Sequence, residues 1–135
     1  MMTRFALMAL VILGCSPADK KENTAASSEV VSLEAKDFKQ SLEANPGAII
    51  LDVRTPPEVA EGVITGAINI DYNAPDFSEK IAALDKSKQY YVYCMGGVRS
   101  SKALDKMKAE GFTSVINLDG GYKSWVENGY ETEKP

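Results

Sequence analysis

Tyr90-Tyr91-Val92-Tyr93-Cys94-Met95-Gly96-Gly97-Val98-Arg99-Ser100 changes character twice in a short span. Tyr90 to Tyr93 is aromatic and β-branched, the composition of a strand. From Ser100 to Glu110 the apolar Ala103, Leu104 and Met107 return to one side of a helix, and Gly111 is its natural stop. Between them lies a short loop with two adjacent glycines. A strand, a tight glycine loop and a helix in that order form the repeating unit of an α/β protein.

Reading outward from this stretch, the alternation continues. Ser32 can cap a helix carrying Ala35, Phe38 and Leu42, which ends near Asn45-Pro46-Gly47. Ala48-Ile49-Ile50-Leu51 follows as a short apolar run, the pattern of a strand covered on both faces. Pro56 and Pro57 suit a helix start and Gly62 a stop. Ala67 to Ile70 predicts another strand, and Asp76 with Glu79 a capped helix bearing Phe77, Ile81 and Leu84. Val115 to Leu118 is a further strand, and Gly120-Gly121 opens a helix with Tyr122, Trp125 and Val126. The expectation is one α/β domain over 30–135, with a mainly parallel central sheet flanked by helices. Trp125, Tyr122 and the strand tyrosines read as packing residues.

Composition narrows the function. The 135 residues are 44% hydrophobic and 25% charged, enough for one domain with a real core. The net charge of −4 argues against nucleic acid, whose binding rests on neutralising phosphates with basic residues. There is no histidine, which excludes any cysteine or serine nucleophile that depends on a histidine base. Two cysteines cannot complete a thiolate zinc site, so neither metal nor cofactor is expected.

The loop supplies the candidate chemistry. Cys94 stands at the carboxyl end of a predicted strand, where α/β sheets bind their ligands. Gly96 and Gly97 let the backbone N–H groups of Met95 to Ser100 turn inward, and the following helix adds the positive end of its dipole. A thiol at the base of such a loop is favoured as the thiolate. Arg99 adds a permanent cation with a planar fork suited to oxyanions. Cys94 is therefore the candidate nucleophile, and Met95, Gly96, Gly97, Val98, Arg99 and Ser100 form the candidate substrate cradle.

The other end of the chain reads as an address. Arg4 precedes an apolar run from Phe5 to Leu13, too short to span a bilayer, and Gly14 and Cys15 follow. Ile12-Leu13-Gly14-Cys15 resembles a bacterial lipoprotein lipobox, although Leu13 is bulkier than usual at its place. That resemblance implies a signal peptide over 1–14, a lipid on Cys15 and a flexible linker over 15–29. The chain would then be exported to the bacterial cell envelope or periplasm and membrane-anchored through its lipid alone. Ser16 resembles the residue found in lipoproteins sorted to the outer membrane. With Cys15 acylated, Cys94 is an unpaired thiol in an oxidising compartment, a reason to regard it as reactive.

Four segments together resemble the single-domain rhodaneses, a sulfurtransferase family. Cys94 to Ser100 is similar to that family's Cys-x-x-Gly-x-Arg-Ser active-site loop. Leu51-Asp52-Val53-Arg54-Thr55-Pro56-Pro57-Glu58 resembles its Leu-Asp-Val-Arg-x-Pro-x-Glu stretch. Gly62 to Ile70 resembles its Gly-His-Ile-Pro-Gly-Ala segment, with Val63 in place of histidine and Thr65 in place of proline. Leu118 to Trp125 carries its Gly-Gly-x-x-x-Trp signature. The resemblance implies a thiosulfate sulfurtransferase in which Cys94 takes a sulfane sulfur as a persulfide and passes it to cyanide or a thiol. Its partners would be a small anionic sulfur donor held with the help of Arg99, and that acceptor. Asp52 and Arg54 would support the loop, or form a salt bridge at a strand end. A monomer is expected. Two rivals are a non-catalytic binding or sulfur-carrier module of the same fold, and a cysteine-dependent phosphatase. The related phosphatases place five residues between cysteine and arginine; here there are four, a smaller ring that favours sulfur.

Overall fold

The computed structural model describes residues 29–135. The signal-peptide segment, Cys15 and the linker lie outside the described residues up to Glu29. That residue, the last one assigned to the linker, already belongs to a strand. The elements in order are β1 (Glu29–Leu33), α1 (Ala35–Ala44), β2 (Ile49–Asp52), α2 (Pro56–Ala60), β3 (Val63–Ile64) and β4 (Ile68–Asn69). They continue with α3 (Phe77–Ala82), β5 (Gln89–Tyr93), α4 (Val98–Ala109), β6 (Ser114–Leu118), α5 (Gly121–Glu127) and β7 (Thr132–Glu133).

Five strands pair in the order β1-β6-β5-β2-β4, every pair parallel. β3 and β7 make a separate antiparallel pair. The fold is therefore α/β with a mainly parallel central sheet flanked by helices. Alternation along β5 explains why both faces are covered. Tyr90 and Val92 point into a core with Phe77 and Ile81 of α3 and Ala103, Leu104 and Met107 of α4. Tyr91 and Tyr93 point the opposite way, among Ala35 and Phe38 of α1 and Trp125 of α5. Successive strand side chains face opposite sides, so a strand in the middle of such a sheet is apolar throughout.

Three local expectations are corrected. Ser32 does not cap α1: it lies in β1, pairs in register with Asn117, and accepts a hydrogen bond from the Asn117 side chain at 3.1 Å. The open edge of β6 recruits this segment as a strand, and α1 begins after Glu34. Asp76 makes no capping hydrogen bond, because its carboxylate pairs with Lys80 at 3.1 Å. α4 starts at Val98, two residues earlier than its expected start at Ser100.

Beneath the carboxyl ends of β2 and β5, Arg54 and Asp52 form a fully buried ion pair at 2.8 Å. Arg54 also donates to the carbonyls of Gly62 at 2.6 Å and Glu58 at 3.3 Å. Its guanidinium lies 4.0 Å from the Tyr122 ring centroid and 5.5 Å from that of Tyr93. The pair is thus a salt bridge at a strand end, with hydrogen bonds that reach α2 and the entry of β3. Removing one partner of a buried pair strands the other charge. Asp52→Ala should lower the unfolding free energy by about 3–5 kcal/mol in chemical denaturation; a loss below about 1 kcal/mol would contradict this assignment.

Thr65 follows β3, and its hydroxyl oxygen is buried with no hydrogen-bond partner among the described residues. Thr65→Val removes that unsatisfied group and should raise stability by about 1 kcal/mol in the same denaturation experiment.

Candidate active site

The site is built where β5 ends and α4 begins. Gly97 has φ +106°, a left-handed conformation that residues with a Cβ rarely adopt, and it turns the chain from the loop into the helix. This turn aims the loop N–H groups at the Cys94 sulfur. Gly97 N–H donates to Sγ at 3.0 Å, and the buried Ser100 hydroxyl donates to it at 3.3 Å. Cys94 itself is buried, the free cysteine among the described residues.

Two effects compete at this sulfur. Burial pushes the Cys94 thiol up, since it disfavours charge. The Ser100 hydroxyl and the N–H groups of Ser100, Gly97 and Gly96 oppose it, and the result lies below the ordinary thiol value. The thiol therefore ionises more readily than an ordinary cysteine, with no general base, in a chain that has no histidine.

The loop is held from behind by α5. Tyr122 N–H donates to the Cys94 carbonyl at 2.8 Å and Lys123 N–H to that of Met95 at 3.1 Å. Such close approach is possible only with glycine at 121. A Cβ there would lie 2.6 Å from the Cys94 carbonyl oxygen and also on the Met95 carbonyl. Gly121 therefore serves the Cys94 loop as well as its own helix.

Arg99 is brought beside the loop, but its fork is already occupied. Its two terminal nitrogens donate to the Glu58 carboxylate at 2.7 and 2.9 Å. Glu58 is fixed in turn by the N–H and hydroxyl of Thr55, at 3.2 and 2.9 Å. The Arg99 hydrogen bonds chiefly hold the Glu58 carboxyl down at about 2, against a smaller opposing effect of burial. The sequence reading missed Glu58 as a site residue. The signal was present in Thr55-Pro56-Pro57-Glu58, where Glu58 stands at the third helical position, but its partner is in a different element.

Among the remaining loop residues, Gly96 and Val98 are exposed, Met95 is partly buried, and Val98 is an exposed large apolar side chain. Gly96, Gly97 and Val98 border a polar groove with Ser32, Ser101, Lys102, Asn117 and Asp119. Asp52 and Arg54 do not reach the sulfur; they lie below, as described. No cluster of metal-ligating side chains occurs among the described residues.

A buried cysteine sulfur faced by backbone donors at the end of a parallel strand is an arrangement that suits a nucleophile, and comparison with known proteins gives the family. The Rhodanese-like domain family matches residues 34–128, and the chain belongs to it. Among solved structures, a rhodanese-related protein from Thermoplasma volcanium superposes with a TM-score of 0.67 at 33% identity. That match covers 77% of this chain and 98% of the other. Thiosulfate sulfurtransferase 16, chloroplastic, of Arabidopsis thaliana is 39% identical over 93 residues, 62% of this chain and 78% of that protein. The tRNA uridine(34) hydroxylase of Acaryochloris marina is 34% identical over 105 residues, 75% of this chain but only 34% of that enzyme. The same domain thus occurs both in a sulfurtransferase and within a longer enzyme of another name.

The balance of forces at the sulfur can be read directly. Ser100→Ala removes the hydroxyl donor while leaving the backbone donors. The midpoint of Cys94 alkylation against pH should move upward in this variant; an unmoved midpoint would mean that Ser100 does not hold the thiolate.

Proposed function

We propose that the chain is a sulfurtransferase of the thiosulfate (rhodanese) type, working through a persulfide on Cys94. The observation that carries this reading is the Cys94 sulfur itself, which accepts hydrogen bonds from the Gly97 N–H and the Ser100 hydroxyl in a chain with no histidine base. The name of the Arabidopsis relative supports thiosulfate as a donor class.

The cycle has two displacements. The Cys94 thiolate attacks the outer sulfur of thiosulfate, a new sulfur–sulfur bond forms, and the old one breaks with its electron pair leaving on sulfite. Cys94 then carries the outer sulfur as a persulfide anion. Cyanide or a thiolate next attacks that sulfur, leaves as thiocyanate or a new persulfide, and restores the Cys94 thiolate. The N–H groups of Met95 to Ser100 would stabilise the anion in both states, as fixed dipoles that need no reorganisation. Asp52 and Arg54 act below the loop as supports.

We also read residues 1–28 as a lipoprotein leader and tether that would hold the domain at the cell envelope through acylated Cys15. No described helix is long and apolar enough to cross a membrane.

The test is intact-mass measurement of the reduced protein before and after thiosulfate. The expected result is a gain of one sulfur atom, removed by cyanide and absent in Cys94→Ser. No gain with thiosulfate or with a hydropersulfide would overturn sulfur transfer and leave a binding module.

A further inference from the structure

Asn117 breaks the pattern of its strand. On β6, Val115 and Asn117 share the face that α4 covers, and Val115 is core there, yet Asn117 is a carboxamide only 4% exposed. Its Nδ2 donates to the Ser32 hydroxyl at 3.1 Å, but its Oδ1 is buried with no partner among the described residues. Such an orphaned group costs stability unless something answers it. Asn117 borders a groove of about 390 Å³ between the carboxyl ends of β1 and β6 and the start of α4. Lys102 and Asp119 border it too, and neither has an ion-pair partner among the described residues. A cation, a carboxylate and an amide oxygen, all unanswered, thus stand around one opening, at the end of the sheet where α/β proteins bind ligands. Gly96 and Gly97 form its wall toward Cys94. Gly97 N–H donates to Sγ at 3.0 Å, and a Cβ at Gly96 would meet nothing within 4 Å, so the rim between groove and loop is open.

We propose that this groove is a second binding site beside Cys94, which holds the ammonium and carboxylate of an amino-acid thiol and presents its sulfur as the acceptor. Asp119 receives the ammonium and Lys102 the carboxylate. The carboxamide of Asn117, at the floor of the groove, adds a neutral acceptor for a further ammonium N–H. A ligand carrying both charges answers both side chains, whereas a thiol with one charge or none leaves a side chain unanswered. The inference rests on sulfur transfer at Cys94 and deepens it by assigning where the acceptor sits. The acceptor thiolate R–S⁻, arriving over Gly96, attacks the outer sulfur of Cys94–S–S⁻. A new sulfur–sulfur bond forms, the bond inside the persulfide breaks, and its electron pair returns to Cys94 as the thiolate. R–S–S⁻ leaves, so atoms and charge balance with no further reactant.

The experiment uses the full chain with thiosulfate as donor and four acceptors. These are L-cysteine, cysteamine without the carboxylate, 3-mercaptopropionate without the ammonium, and 2-mercaptoethanol without either. Each variant is compared with the unaltered chain on the same acceptor, so differences in thiol reactivity cancel. Asp119→Asn should lower kcat/KM about tenfold for L-cysteine and cysteamine, the scale of one charge-assisted hydrogen bond, and leave 2-mercaptoethanol in place. Lys102→Gln should lower it by a similar factor for L-cysteine and 3-mercaptopropionate, but not for cysteamine. Both side chains are exposed, so neither change disturbs the core. L-Serine, in which a hydroxyl replaces the thiol, reports on the groove without any transfer. In the Cys94→Ser chain it should move the NMR signals of the Asn117 side-chain amide, and Asp119→Asn should abolish that movement. Variants that change all four acceptors equally, or none, would overturn the assignment, as would Asn117 signals that stay in place with L-serine. No sulfur loaded onto Cys94 from thiosulfate or a hydropersulfide would instead overturn sulfur transfer, and the acceptor role with it.

Discussion

The Arg54 guanidinium is buried with all three nitrogens committed: Nε and Nη2 donate to Asp52, Nη2 also to Gly62, and Nη1 to the Glu58 carbonyl. A charge without solvent is costly, and this one is tolerated because a carboxylate, two carbonyls and the face of Tyr122 replace its water. The arrangement ties the end of β2 to the last turn of α2, to the entry of β3 and, through Tyr122, to α5. Tyr122 then holds the Cys94 carbonyl from behind. The end of β2, α2, the entry of β3 and α5 therefore meet at one cation, and α5 in turn touches the Cys94 loop.

Above this frame the site solves a conflict between reactivity and burial. A buried thiol resists ionisation, and the usual remedy of a neighbouring imidazole is absent from the chain. The remedy here is local backbone: one left-handed glycine turns a strand end into a helix start, and the N–H groups between them converge on a single sulfur. Such donors are fixed before reaction and cannot be lost by protonation, unlike a histidine base. The cost is steric. The loop can lie this close to α5 only because Gly121 offers no Cβ, which links a glycine far along the chain to the shape of the thiolate cradle.

Much of this was legible in the sequence, and the reason is contiguity. β5, the loop and α4 are consecutive, so Cys94, Gly97 and Ser100 come together through a turn that the residues themselves announce. β2 and β6 were legible as short apolar runs, because a parallel strand covered on both faces has no polar side to confuse the pattern. β1 was not, since Glu29 and Ser32 give it a polar look and its strand character comes from the edge of β6. The pair of two-residue strands β3 and β7 depends on contact between Val63-Ile64 and Thr132-Glu133, which no local pattern encodes. The same limit applies to the site. Asp52 and Arg54 are two residues apart and could be read as partners, whereas Arg99 and Glu58 meet only after α2 and α4 have been set side by side. The sequence reading accordingly saw a free arginine where the folded chain has a paired one.

Glu58 is where these two levels join. Its backbone carbonyl accepts from Arg54 and its carboxylate from Arg99, so one residue touches the core cation and the mouth cation. The two pairs nevertheless differ in kind. Arg54 and Asp52 are sealed from water, and their attraction is insensitive to salt; Arg99 and Glu58 are partly solvated, and theirs is screened. The core pair is therefore a fixed contact inside the domain, while the outer pair stands beside the loop in reach of solvent. Because Thr55 clamps the Glu58 carboxylate from its own side, Arg99 is drawn to a carboxylate already held in place, and the loop residue adapts to the frame rather than the reverse. That order of dependence separates two tasks within one small domain. Surrounding the sulfur with donors belongs to the loop, and fixing the arginine beside it belongs to the short helix opposite.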